Sequence, residues 1–223
     1  MIQTIADALA QQGYETLTAV QEAVTDPALN DQDLLVSAQT GSGKTVAFGL
    51  AMAPTILAGP ERFAHAAAPL ALVVAPTREL AMQVKGELIW LYAMTGANVA
   101  SCVGGMDMRD ERRALQRGAH IVVGTPGRLR DHIERGSLDT GGFKAVVLDE
   151  ADTMCDMGFL PDVRRILKLV PTKRQTLLFS ATMPEDIRKL TVDILHDHTT
   201  VQVDPIAPAK TVSHALYPVP EAL

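Results

Sequence analysis

Lys44 has more specific chemistry around it than any other residue in this sequence. It sits in the run Ala38–Gln39–Thr40–Gly41–Ser42–Gly43–Lys44–Thr45, which follows the apolar segment Leu34–Ser37 and opens a helix-compatible stretch. Gly41 and Gly43 let the backbone turn so that successive N–H groups converge on phosphate oxygens. The helix that begins there adds the positive end of its dipole. Lys44 then reaches the β- and γ-phosphates of a nucleotide, and the Thr45 hydroxyl is placed to ligate Mg²⁺. The usual phosphate-loop pattern opens on Gly, and this chain has Ala38 there. The Gly-Ser-Gly-Lys-Thr core and its strand-to-helix setting therefore carry the reading. A second run, Asp149–Glu150–Ala151–Asp152, ends the apolar segment Ala145–Leu148. In a hydrolysis site Asp149 holds Mg²⁺ through water, and Glu150 orients and deprotonates the attacking water. Taken singly, a flexible glycine turn or an acidic helix start would explain either run. Together they describe two halves of one nucleotide-hydrolysing site.

Such halves need strands to bring them together. Short apolar, β-branched runs occur at 33–37, 70–75, 99–103, 120–123, 145–148, 176–179 and 200–203. Helix-compatible stretches lie between them, among them 44–57, 78–94, 108–116 and 185–195. Strands apolar on both faces and separated by helices imply an α/β domain whose mostly parallel sheet is covered on both sides. Ligands of such sheets bind beyond the C-terminal ends of the strands, and every chemically suggestive segment falls at one of those ends.

Asp149–Asp152 spells Asp-Glu-Ala-Asp, and from about residue 6 to about residue 217 the chain resembles the first RecA-like P-loop domain of a DEAD-box ATP-dependent RNA helicase. Gly13–Tyr14, Thr18 and Gln21 are similar to the family's adenine-reading Q motif, with Leu17 where the family usually has Pro. The resemblance implies ATP and Mg²⁺ as cofactors. Tyr14, Thr16, Gln21 and the loop residues Ala38, Gln39, Thr40, Gly41, Ser42, Gly43, Lys44 and Thr45 would bind the nucleotide. Thr45 and Asp149 would hold the metal, and Lys44, Asp149 and Glu150 would be catalytic. Gln21 would meet the adenine edge with its amide, which both donates and accepts; outside that context it reads as a solvated helix residue. Pro76–Thr77–Arg78, Gly104–Gly105 and Thr125–Pro126–Gly127–Arg128 resemble the RNA-contacting motifs. They are small residues, hydroxyls, helix starts and arginines, which grip phosphates and sugars without reading bases. Ser180–Ala181–Thr182 resembles the motif whose hydroxyls hydrogen-bond the Asp152 carboxylate and couple the two sites. The compact loops point to a bacterial member. The family's second RecA-like domain, with its arginine fingers, has no counterpart in the sequence. Residues 1–205 are therefore expected to form the ATP-binding domain, and 206–223 a tail or linker toward that second domain. The chain is expected to be a monomeric piece of a longer protein that binds nucleotide but hydrolyses it slowly.

Bulk properties narrow the field. The chain has 223 residues and a net charge of −6, so it does not grip nucleic acid by a basic face. Cys102 and Cys155 fit no metal spacing and read as reduced cysteines. No apolar run is long enough to span a membrane, and Met1–Gln12 lacks the basic start of a secretory signal, so the expected location is cytoplasmic. His196 and His198 are spaced like a metal pair on a strand but read as surface histidines. Arg109, Arg112, Arg113 and Arg117, interleaved with Asp110 and Glu111, read as a solvated helix face. Trp90 reads as core, and Arg164 and Arg165 as surface. A DNA translocase of the same superfamily and a non-catalytic, nucleotide-switched RNA-binding module remain as alternatives, with a small-molecule P-loop kinase behind them.

Overall fold

A computed structural model of the chain describes residues 1–203; the tail or linker expected over 206–223 lies outside the described residues. Each of the seven apolar runs forms a strand: β1 Leu34–Ser37, β2 Ala71–Val74, β3 Val99–Cys102, β4 Ile121–Gly124, β5 Ala145–Leu148, β6 Gln175–Ser180 and β7 Thr199–Gln202. They make one sheet in the order β3-β4-β2-β5-β6-β1-β7, and every pairing is parallel. β2, β4, β5 and β6 are buried along their whole length, as strands covered on both faces must be.

Side chains alternate across the sheet and feed two cores. Leu34, Val36, Ala71, Val73, Ile121, Val123, Ala145, Val147, Leu177 and Phe179 pack on one face with the helices α1 Gln3–Gln11, α2 Ala19–Ala23, α3 Lys44–Leu57 and α4 Arg78–Leu91. Leu72, Val74, Val122, Val146, Leu148 and Leu178 pack on the other. There they meet α6 Pro126–Glu134, α7 Ala151–Asp156, α8 Leu160–Leu169 and α9 Glu185–Ile194. The remaining helix, α5 Met108–Gln116, follows β3. α3 and α4 approach closely because Gly49 has no side chain; a Cβ there would lie 2.5 Å from Leu91 Cδ2. The Tyr92 hydroxyl donates to the Gly49 carbonyl at 2.6 Å across the same contact.

At the end of the sheet where the strands begin, the buried Asp33 carboxylate accepts the Thr176 N–H at 2.6 Å and the His196 N–H at 2.8 Å. It thereby ties β1, β6 and the lead-in to β7 together.

Several sequence expectations need correction. The helix expected over 78–94 stops at Leu91, where the chain tightens into a 3₁₀ turn at Ala93–Thr95 and Gly96 takes φ 76°. His196 and His198 precede β7 and do not lie on it. Trp90 is half-buried, its ring 5.8 Å from that of Tyr14. Arg164 and Arg165, by contrast, lie at the surface as expected, paired with Asp193 and Glu134.

Candidate functional site

β1 delivers the chain to residues 38–43, and the C-terminal edge of the sheet places them beside β5 and β6. Gly41 and Gly43 both adopt left-handed backbone (φ 82° and 83°). Gly43 has a second reason to be glycine: a Cβ would sit 2.4 Å from Gln21 Nε2. Within the turn, Ser42 donates through its N–H and its hydroxyl to the Gln39 carbonyl (3.3 and 2.7 Å). α3 then starts at Lys44 with no side-chain cap and no acid in its first turn. Its free N–H groups and positive dipole end therefore face the loop uncompensated.

The end of β5 brings the acids opposite. Lys44 and Asp149 are buried, at 8% and 2% exposure, with Lys44 Nζ 3.9 Å from Asp149 Oδ1 and 3.8 Å from Glu150 Oε1. Neither Lys44 Nζ nor Asp149 Oδ1 has a hydrogen-bond partner among the described residues. Burial pushes the Asp149 carboxyl up to about 6; Lys44 opposes that rise and Glu150 adds to it. Glu150 itself stands in left-handed backbone, φ 48° and ψ 54°, a conformation that costs a side-chain-bearing residue about 1–2 kcal/mol. This turn at the strand's end redirects the chain into α7.

Thr18 and Gln21 hold the loop from the far side. Thr18 caps α2, and its hydroxyl donates to the Ser42 carbonyl at 2.9 Å. Gln21 Oε1 accepts the Thr18 N–H at 3.0 Å, and Nε2 donates to the Gly43 carbonyl at 3.2 Å. Gln21 is fully buried, which excludes the solvated-residue reading. In this arrangement its amide straps α2 to the loop. Tyr14 packs beside Trp90, and Thr16 is exposed, with no side-chain hydrogen bond among the described residues.

Sequence reading missed Glu87. This half-buried α4 residue has its carboxyl pKa raised by burial, with the Thr45 hydroxyl beside it opposing the rise. Its charge also reaches Asp149 and Tyr14. One signal was available: Glu87 lies beside the buried α4 stripe Val84, Leu88 and Leu91.

The three segments read as nucleic-acid motifs meet around residues 104–106. Thr77 caps α4 by accepting the Leu80 N–H, which places Arg78 at the start of that helix. Arg78 Nη2 lies 3.2 Å from Met106 Sδ, and its Nη1 lies 3.0 Å from where a Gly105 Cβ would stand. The Gly104 N–H reaches Thr125 Oγ1 at 3.4 Å. Pro126 opens α6, followed by Gly127 and by Arg128, whose Nη1 donates to the Met106 carbonyl at 3.0 Å. Pro76 lies buried at the end of β2. Glu111, expected on the solvated face of α5, is instead buried.

Asp152 and Thr182 join the ends of β5 and β6. Asp152 Oδ2 accepts both the N–H and the hydroxyl of Thr182 at 2.9 Å. Ser180 departs from expectation: its hydroxyl bonds backbone, accepting the Asp152 N–H at 3.2 Å and donating to the Thr182 carbonyl at 2.7 Å. Burial alone would raise the Asp152 pKa; the hydrogen bonds around the carboxylate, led by those of Thr182, together outweigh it and hold the carboxyl low.

A family model described as DEAD/DEAH box helicase matches residues 18–190. The DEAD-box ATP-dependent RNA helicase CshA of Geobacillus kaustophilus is 43% identical over 201 residues, covering 90% of this chain and 42% of the relative. The ATP-dependent RNA helicase DeaD of Escherichia coli K12 is 45% identical over 200 residues, covering 89% and 31%. The crystal structure of a DEAD box protein from Methanococcus jannaschii superposes with a TM-score of 0.82 at 38% identity, covering 90% of this chain and 53% of that one. The chain thus spans less than half the length of these two curated relatives.

Proposed function

The chain belongs to the DEAD/DEAH box helicase family, and from that premise we propose that it is the ATP- and RNA-binding RecA-like unit of an ATP-dependent RNA helicase. One observation carries the nucleotide reading: the buried Lys44 Nζ and Asp149 Oδ1 face each other at 3.9 Å with no hydrogen-bond partner among the described residues. Orphaned buried polar groups are costly, and a phosphate with its metal would satisfy both.

The oxygen donors suit Mg²⁺; Thr45 and Asp149 would hold it, and the bound ion neutralises phosphate charge. The chain's own groups do the rest. The N–H groups of Thr40 to Thr45 receive phosphate oxygens, and the Lys44 ammonium sits against the terminal phosphoryl group. The Glu150 carboxylate orients the attacking water and takes its proton. Tyr14, Thr16 and Gln21 form the adenine side. Pro76, Thr77, Arg78, Gly104, Gly105, Thr125, Pro126, Gly127 and Arg128 form an RNA-backbone grip. Asp152, Ser180 and Thr182 link the two sites. Free cysteines at 102 and 155 fit a cytoplasmic protein.

Calorimetry with ATP and a phosphate-release assay test this reading. Lys44→Ala is expected to weaken nucleotide binding at least tenfold, about 1.4 kcal/mol. Glu150→Gln is expected to keep the affinity and abolish hydrolysis. The chain alone should turn over slowly, since in this family an arginine finger worth about 10³–10⁵-fold comes from a second RecA-like domain. Joining such a domain in cis should raise turnover and make it respond to single-stranded RNA over DNA. Rapid turnover by the unaided chain, or retained turnover in Glu150→Gln, contradicts the assignment.

A further inference from the structure

A buried polar cluster lies behind Arg128. Glu111 Oε1 accepts the Val103 N–H at 2.7 Å. Its Oε2 accepts Arg128 Nη1 at 2.9 Å and lies 2.7 Å from His132 Nε2. The His132 ring is fully buried, and its Nδ1 lies 2.8 Å from Ser137 Oγ. Cys102 completes the group: ligand-type atoms of Cys102, Glu111 and His132 all fall within 4.8 Å of one another.

Three buried residues of these types could suggest a metal centre, but the bonding speaks against one. Both Glu111 oxygens and both His132 nitrogens are already engaged, and a guanidinium lies 2.9 Å from the carboxylate. Burial and the Glu111 charge push the Cys102 thiol up to about 12, so a metal would have to displace that proton in competition with the Arg128 guanidinium. The cluster is built around a cation the chain already supplies.

The arginine's own bonds show what that accomplishes. The two Nη1 hydrogens of Arg128 serve the Met106 carbonyl and Glu111 Oε2. Of its five N–H donors, that leaves the Nε hydrogen and the two Nη2 hydrogens, none engaged among the described residues. Nε and Nη2 form the side of the fork that matches two oxygens of one phosphate. Glu111 also holds the Val103 N–H at the start of the Gly104–Gly105 segment, so a single carboxylate sets the distance between that segment and Arg128.

We propose that Glu111, braced by His132, is a positioning residue for RNA: it fixes Arg128 and residues 103–106 as one unit and presents the free edge of the guanidinium to a backbone phosphate. The proposal rests on the RNA reading of this face.

The test measures anisotropy of a fluorescein-labelled oligouridine and, separately, binding of a fluorescent ADP analogue, using the 223-residue chain at low salt. Arg128→Ala is expected to weaken RNA binding about tenfold and to lower the salt slope by about one. Glu111→Ala should lose a similar factor with ADP affinity unchanged, and Glu111→Gln, which keeps the shape and one acceptor, should fall between. Because Glu111 acts through Arg128, the double variant should bind RNA no worse than Arg128→Ala alone. If the parent chain shows no RNA binding, or Arg128→Ala changes nothing, the RNA reading of this face is wrong. If Arg128→Ala weakens binding while Glu111→Gln and Glu111→Ala do not, or their losses add to it, only the positioning role is overturned. Equal loss of ADP and RNA affinity in both Glu111 variants reduces the cluster to a structural one. A Co²⁺ thiolate absorption band that Cys102→Ser removes would replace the positioning role with a metal site.

Discussion

Asp149 stands where a carboxylate is expensive. It is almost fully buried, and its pKa rises from 3.8 to about 6, chiefly through burial, with Glu150 adding and Lys44 opposing. A carboxyl whose folded-state pKa is raised favours the protonated form, so the nucleotide-free fold gains stability as pH falls from about 6 toward 4. Above 6 it carries the full cost of the buried anion. Asp149→Asn is therefore expected to stabilise the nucleotide-free chain by about 1–3 kcal/mol at pH 8. The gain should shrink below pH 6 and vanish near pH 4. Urea melts across that range measure it, and a variant no more stable than the parent at pH 8 would sink the argument. Stability and ligand binding pull against each other at this residue, as they often do where a site is built.

Elements show why some of the design was legible and some was not. α3 was expected over 44–57 and occupies Lys44–Leu57, and β5 was expected and found at 145–148. Both are specified locally, by glycines ahead of a helix or by a continuous apolar run. Glu111 was not legible. It sits among five charged residues in Arg109–Arg113, and nothing local separates it from its neighbours. Its partners arrive from Val103, just past β3, and from Arg128 and His132 on α6, two segments remote from its own neighbours. Gln21 is a similar case, since its burial depends on a loop 22 residues away. Asp33 makes the same point about stability. It looks like a polar lead-in to β1, yet it accepts backbone N–H groups from two remote segments. Asp33→Ala leaves the buried Thr176 N–H without a partner and is expected to cost about 2–4 kcal/mol, read as a lowered urea midpoint. A change within about 0.5 kcal/mol would mean those bonds are replaced by water.

At the scale of the molecule, the all-parallel sheet decides where chemistry can be. The first six strands each deliver a different segment to one rim: Ala38 from β1, Pro76 from β2, Gly104 from β3, Thr125 from β4, Asp149 from β5 and Ala181 from β6. The phosphate loop and the acids meet because β1 and β5 both flank β6. Pattern and spacing specified the strands and the rim. The order of strands, and hence which rim segments become neighbours, depends on pairings between remote parts of the chain that no single segment encodes.

The same one-way sheet leaves the opposite rim as an engineering handle. The turn at Thr172–Lys173 is exposed and leads into the start of β6, at the far end of that strand from Ser180. A short polar insert or an attached fluorophore there should be accepted, with ATP affinity unchanged by calorimetry. A probe could then be carried through nucleotide and RNA titrations without touching the surface being titrated.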